Sequence, residues 1–168
     1  MEFLKVVKER TAIRSFSDKK VNKEVLFKIL EVGRLAPTAK NRQPFKIYVV
    51  DTKENLLKID KATPCRYNAK TVLIVCGNKD EAFIKDDVST YSIDSSIVAT
   101  HLMLGATNYG IDNIWIEVFN TDILKEELNI PANLEPVCLI PLGYKDINCP
   151  KNPMHKVRKP LEEIVIYK

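Results

Sequence analysis

The 168-residue chain has only five glycines, and none falls in a GxGxxG or GxxxxGK pattern. Phosphate cradles of the Rossmann and P-loop kinds are thereby excluded. Long apolar runs are missing too. Residues 72–76 and 137–142 are the longest, at roughly six residues where a membrane-spanning helix needs about 20. The four cysteines, at 65, 76, 138 and 149, form no CxxC pair and have no histidine at zinc-ligand spacing. Cys76 and Cys138 sit inside apolar runs, where free cysteine acts as a small core residue, so neither a metal site nor a disulfide is expected. No ferredoxin-type cysteine cluster is present either. The amphipathic start lacks a cleavable apolar segment, and the expectation is a cytoplasmic protein without membrane attachment.

What is present is ordinary soluble composition, 45% hydrophobic and 29% charged, enough for one domain over residues 1–168. The net charge of +4 hides a steep asymmetry. Residues 1–70 carry 17 Lys and Arg against 8 Asp and Glu, residues 71–130 carry 3 against 10, and residues 131–168 carry 6 against 4. A basic first part attracts phosphate-bearing partners. No basic stripe interleaved with aromatics, and no RNP, KH or zinc-finger pattern, points to nucleic acid.

Helices and strands alternate without repeats. Residues 1–9 place Phe3, Leu4 and Val7 on one helical face. A second helix follows Asn22 as N-cap and ends near Leu35, because Pro37 disfavours helical geometry at Ala36. Residues 45–50 alternate Phe45, Ile47 and Val49 as a half-buried strand, a short helix covers 53–61, and 72–76 is a buried strand. The most helical stretch is 93–109, with Ile93, Ile97, Thr100 and Leu104 on one stripe and Gly110 as terminator. Small residues surround that stripe, so another helix can approach closely. Strands at 113–118 and 137–142 enclose a helix after Thr121, and the β-branched tail 161–167 is a further strand. The expected fold class is α+β, with a mixed, mainly antiparallel central sheet flanked by helices. A lone strand at 161–167 could pair at a partner's sheet edge.

Two patterns exceed scaffold needs. Arg10-Thr11-Ala12-Ile13-Arg14-Ser15-Phe16 sets two guanidinium groups and a hydroxyl where the first helix ends, suited to phosphate or a carbonyl edge. It would equally serve as an exposed pair of arginines. Ala36-Pro37-Thr38-Ala39-Lys40-Asn41-Arg42-Gln43-Pro44-Phe45 is a polar loop stiffened by two prolines, either a ligand-holding loop or only a connection.

Together the two patterns resemble the nitroreductase family of FMN-dependent NAD(P)H oxidoreductases. The resemblance continues through Ala69-Lys70-Thr71-Val72-Leu73-Ile74-Val75-Cys76, residues 102–119, Leu142-Gly143-Tyr144, and Lys156-Val157-Arg158-Lys159-Pro160-Leu161-Glu162-Glu163. It implies a tightly bound FMN, NADH or NADPH as co-substrate, and a small-molecule acceptor such as a nitroaromatic or quinone. A flavin-holding, redox-sensing or storage protein with little turnover would use the same residues. The resemblance makes Arg10, Thr11, Ala12 and Arg14 flavin contacts, with Arg14 beside the pyrimidine side, and Lys156 and Arg158 phosphate ligands. Pro37, Thr38, Ala39, Asn41 and Gln43 resemble the flavin-contacting loop, part of which serves the partner subunit. Glu117 and Val118 matter mainly by their backbone near flavin N5. The implied unit is a homodimer, its C-terminal strand exchanged between subunits. No dedicated catalytic acid or base is expected; Arg14 would tune the flavin electrostatically, and His101 and His155 are structural. Ala12 replaces a serine common in relatives. The family's asparagine and lysine before the second strand find no match around residues 62–65, and 77–91 is short for the excursion that selects substrates.

Overall fold

The computed structural model describes residues 2–150 and 153–168. Its frame is a four-stranded sheet in the order β1-β2-β6-β5, from β1 (Phe45–Val50), β2 (Thr71–Asn78), β5 (Asp112–Asn113) and β6 (Leu134–Gly143). Every strand pair in it is antiparallel, and among the described residues the one parallel contact is an isolated bridge between Ala12 and Asn113. A second, two-stranded ribbon joins β3 (Ile84–Lys85) to β4 (Val88–Ser89), a hairpin not foreseen within 77–91.

The alternation of β2 explains the layers. Val72, Ile74 and Cys76 point into one core, with α3 (Lys53–Ala62) and α5 (Thr121–Leu128) over them. Leu73 and Val75 point into the other, beneath α2 (Lys23–Arg34) and α4 (Tyr91–Asn108). Buried on both faces, β2 is a continuous apolar run rather than an alternating one. The edge strand β1 also divides its side chains, Phe45 and Ile47 to one core and Tyr48 and Val50 to the other. Val49 is left exposed, against the half-buried face expected for it.

The caps follow the sequence. Asn22 accepts the Glu24 N–H at 2.8 Å, and Gly110 ends α4 at φ +72°. Close helix approach is realised where small residues meet: a Cβ on Gly33 would stand 2.5 Å from Leu102 Cδ2, and one on Gly105 would stand 3.0 Å from Val32 Cβ.

Other expectations change. The stripe on α4 is only partly the buried face: Val98, Ala99, Leu102 and Ala106 are buried and Ile97 packs against them in part, whereas Ile93 and Thr100 face outward. On α1 (Phe3–Glu9) only Val6 is buried, and Phe3, Leu4 and Val7 are exposed; Met1, counted into this helix from the sequence, lies outside the described residues. The strand expected at 113–118 is broken. Leu139 exchanges two bonds with Ile116, at 2.9 and 3.0 Å, so Pro141, two residues on, faces the same edge without an N–H to donate. The ladder therefore lapses between Asn113 and Ile116. The tail 161–167 forms a 3₁₀ turn at Leu161–Glu163 and pairs with no strand among the described residues of its own chain.

Candidate functional site

The segment after α1 is threaded by its buried residues. Ile13 and Phe16 are fully inside; the Ile13 N–H donates to Asn113 O at 3.2 Å and the Phe16 N–H to Tyr67 O at 3.1 Å. Ser17 and Asp146 add bonds to Tyr144 O and Ser15 O, both at 2.9 Å. With these anchors fixed, Arg10, Thr11, Ala12 and Arg14 are left toward the surface at the β5 end of the sheet.

The chain returns to this end through His155, whose Nε2 lies 3.0 Å from Lys8 O. That contact gives His155 a structural partner on α1 and carries Lys156 and Arg158 to that helix. A cavity of about 430 Å³ lies between Lys8, His155, Lys156 and Arg158. A neighbouring one of about 380 Å³ shares His155 and Lys156 and reaches Thr11, Ala12, Lys145 and Cys149. Arg10 opens onto a third space of about 330 Å³ that also includes Thr11 and Lys145. Burial lowers the pKa of the Arg10 guanidinium, and Arg158 nearby lowers it further. Among the described residues neither these arginines nor Lys156 has a carboxylate within ion-pair distance. Cations gathered at one end of the sheet without a carboxylate partner among the described residues could hold an anion, and a phosphate dianion would match their donors.

Arg14 takes a different neighbour, the Tyr67 phenol. A hydrogen bond with Cys65 and burial both raise the Tyr67 pKa, and Arg14 pulls it the other way. Tyr67 and Asn68 have φ of 54° and 66°, and Asn68 Nδ2 donates to Phe16 O at 3.1 Å, so this turn is wired to the arginine segment. Thr63, at its start, donates to Val118 O at 2.5 Å. Glu117 Oε1 accepts from Trp115 Nε1 at 2.8 Å. Val118 and Arg14 thus both meet one connecting segment, 63–67.

The loop 37–43 stands apart. It enters β1 at Phe45, opposite Gly77, whereas Asn113 pairs with Leu142 and Leu142 with Thr71. Six residues of β2, roughly 20 Å, separate the two ends. Arg10, Thr11, Ala12, Lys156 and Arg158 are therefore brought together within one chain, and Pro37, Thr38, Ala39, Asn41 and Gln43 are not.

Sequence reasoning missed Tyr67, Cys65, Lys145 and Cys149. Tyr-Asn after Pro64 is a turn signal that could have marked the first two; nothing local marks the others. Cys76 and Cys138 are core residues as expected, and burial pushes the Cys76 thiol up to about 12 and Cys138 upward as well. His101 is also structural, its Nδ1 lying 2.8 Å from Ile97 O within α4. Among the described residues no three His, Cys, Asp or Glu side chains converge as a metal site would need, and no helix is long and apolar enough to cross a membrane.

Comparison with known proteins agrees with this frame. The sequence model of the nitroreductase family matches residues 7–74 and 59–144. A protein of Archaeoglobus fulgidus, named provisionally as an NADH dehydrogenase/NAD(P)H nitroreductase, is 32% identical over 150 residues, 85% of this chain and 85% of its own. The crystal structure of a nitroreductase family protein from Clostridium difficile has a TM-score of 0.93 at 41% identity, over 100% of this chain and 99% of that one. A nitroreductase-fold structure from Exiguobacterium sibiricum, solved in complex with FMN, has a TM-score of 0.86 at 23% identity, over 100% of this chain and 98% of its own. With the antiparallel sheet, its two helical layers and matches along most of its length, the chain belongs to the nitroreductase family.

Proposed function

We propose that the protein is an FMN-dependent NAD(P)H oxidoreductase. FMN, when bound, supplies a ring nitrogen, N5, that takes hydride from a dihydronicotinamide and passes two electrons to an organic acceptor such as a nitroaromatic or quinone. The observation that carries this reading is the half-buried Arg10 near Arg158, with Lys156 in the adjoining cavity and no carboxylate among the described residues to balance them. Arg10, Lys156 and Arg158 would hold the phosphate, and the Thr11 hydroxyl adds a neutral donor. Arg14, kept against Tyr67, offers positive charge to the pyrimidine side, where negative charge builds as electrons arrive. Glu117 and Val118 would contribute backbone near N5. The loop residues Pro37, Thr38, Ala39, Asn41 and Gln43, too far away to serve their own chain's site, would complete that of the second subunit in a homodimer.

The purified protein should be yellow, release FMN on denaturation and oxidise NADH or NADPH steadily once a quinone or nitroaromatic is added. Protein that takes up no FMN would defeat the reading. FMN uptake without turnover under any acceptor would instead support a flavin-holding role.

A further inference from the structure

Three residues of the loop, Lys40, Asn41 and Gln43, have φ of 50°, 53° and 53°. Side chains other than glycine hold such left-handed backbone only where the surroundings enforce it. Part of the enforcement is local: Thr38 Oγ1 accepts the Gln43 N–H at 2.9 Å. The rest comes from α4. Asp94, in its first turn and 1% exposed, accepts the Ala39 N–H on Oδ1 at 2.8 Å and the Thr90 hydroxyl on Oδ2 at 3.0 Å.

Among the described residues no Lys or Arg pairs with this carboxylate. A buried carboxylate is expensive without a cation; here only two neutral donors and the start of α4 favour it. The pair of bonds does more than cap a helix. Thr90 donates its own N–H to Phe83 O at 2.8 Å, at the base of the β3–β4 hairpin. Arg42 Nη1 donates to Ala82 O at 3.1 Å, and Lys40 Nζ lies 4.3 Å from the centre of the Phe83 ring. Loop, Asp94, Thr90 and hairpin therefore form a closed circuit, with Asp94 as the buried link.

We infer that Asp94 is a positioning residue of the flavin site, its carboxylate holding loop 37–43 in the shape that the second subunit's FMN contacts. The inference rests on the reading above that this loop serves the other subunit. Asp94 itself touches no ligand; it acts through the Ala39 amide and through Thr90. Asparagine can keep both bonds, its oxygen accepting from Ala39 and its amide donating to the Thr90 oxygen, whereas alanine keeps neither.

The test uses full-length Asp94→Ala and Asp94→Asn proteins. Lys40 and Arg42 are exposed, so trypsin reports on the loop without any flavin. Asp94→Ala, which loses both bonds, should be cut there faster than wild type and bind FMN about tenfold more weakly through the loosened loop. Asp94→Asn should recover most of both. Mixed dimers then separate positioning from general damage. One chain carries Asp94→Ala, the other Arg10→Ala with Arg158→Ala. Only the mixed dimer joins intact phosphate ligands of the first chain to an intact loop of the second, and it should regain one tight FMN per dimer. Mixed dimers without a tight site would confine the effect to its own subunit and overturn the inference. Unchanged FMN affinity in folded Asp94→Ala would do the same. Should that variant not fold, Thr90→Val removes only the outer bond, and the same cleavage, affinity and mixing outcomes apply. Wild-type protein that binds no FMN overturns the flavin reading first, before any variant is made.

Discussion

At the scale of single residues, the phosphate assignment rests on cations that share one end of the sheet, around adjoining cavities, rather than on unpaired charge alone. The chain has eight ion pairs among its described residues, some within helices and others, such as Arg66 with Asp60 and Lys70 with Asp18, between elements. Arg10, Lys156 and Arg158 are spent on none of them. Arg158→Ala or Lys156→Ala should therefore leave the fold intact and weaken FMN binding about ten- to a hundredfold, each removing a charge-assisted bond worth roughly 1.5–3 kcal/mol. Fluorescence titration checks this, and unchanged affinity in both variants would remove the phosphate assignment. Arg14 should behave differently, because its neighbour is the Tyr67 phenol. A cation that meets charge only as electrons arrive stabilises the reduced form more than the oxidised one. Arg14→Ala should lower the reduction potential of bound FMN and slow its reduction by NAD(P)H, with a smaller change in oxidised-FMN affinity. An unchanged potential with sharply weaker binding would make Arg14 an anchor instead.

Elements were legible where one local rule decided them. Asn22, Gly110 and the apolar run of β2 each stated a boundary or a burial pattern that the fold obeys. Elements failed where the deciding partner was remote. The α4 stripe was assigned by periodicity, but small residues on the opposite side let α2 come closer than the isoleucines could, and packing density chose that face. The strand after Asn113 was lost to Pro141 on another strand, and the Tyr67 turn depends on Phe16, some fifty positions away. The site divides likewise. Arg10 and Thr11 stand out in a local pattern and Lys156 and Arg158 follow from the family resemblance, whereas Lys145 and Cys149 line the same cavities only through folding. The α2–α4 approach gives a direct test. Ala at Gly33 gains about 1 kcal/mol in helix propensity, but its Cβ would fall 2.5 Å from the side chain of the fully buried Leu102. Overpacking of this kind costs typically 1–3 kcal/mol, so Gly33→Ala should destabilise in chemical denaturation. Adding Leu102→Ala should destabilise less than the separate effects imply, because the cavity admits the new methyl.

On the scale of the whole molecule, two features point the same way. Apolar side chains that a single chain would bury are outside: Phe3, Leu4 and Val7 on α1, Ile93 on α4, and Leu161, Ile164 and Ile166 in a tail that pairs with no strand among the described residues. The proposed flavin contacts are also divided between the two ends of one sheet. A second copy can cover the first and reunite the second, and stable dimers need roughly 1,200–2,000 Å² of such surface. The protein should sediment as a dimer at low micromolar concentration, and removing residues 161–168 should shift it toward monomer. The decisive quantity is the coupling of the two effects. If loop 37–43 completes the other subunit's site, FMN should bind the dimer far more tightly than the monomer. Added FMN should then lower the concentration at which dimers dissociate, and dilution below that point should weaken FMN binding, because ligand and partner favour the same state. Sedimentation across a dilution series, with and without FMN, measures both. Full FMN affinity in a chain shown to be monomeric would mean that each subunit carries a whole site of its own.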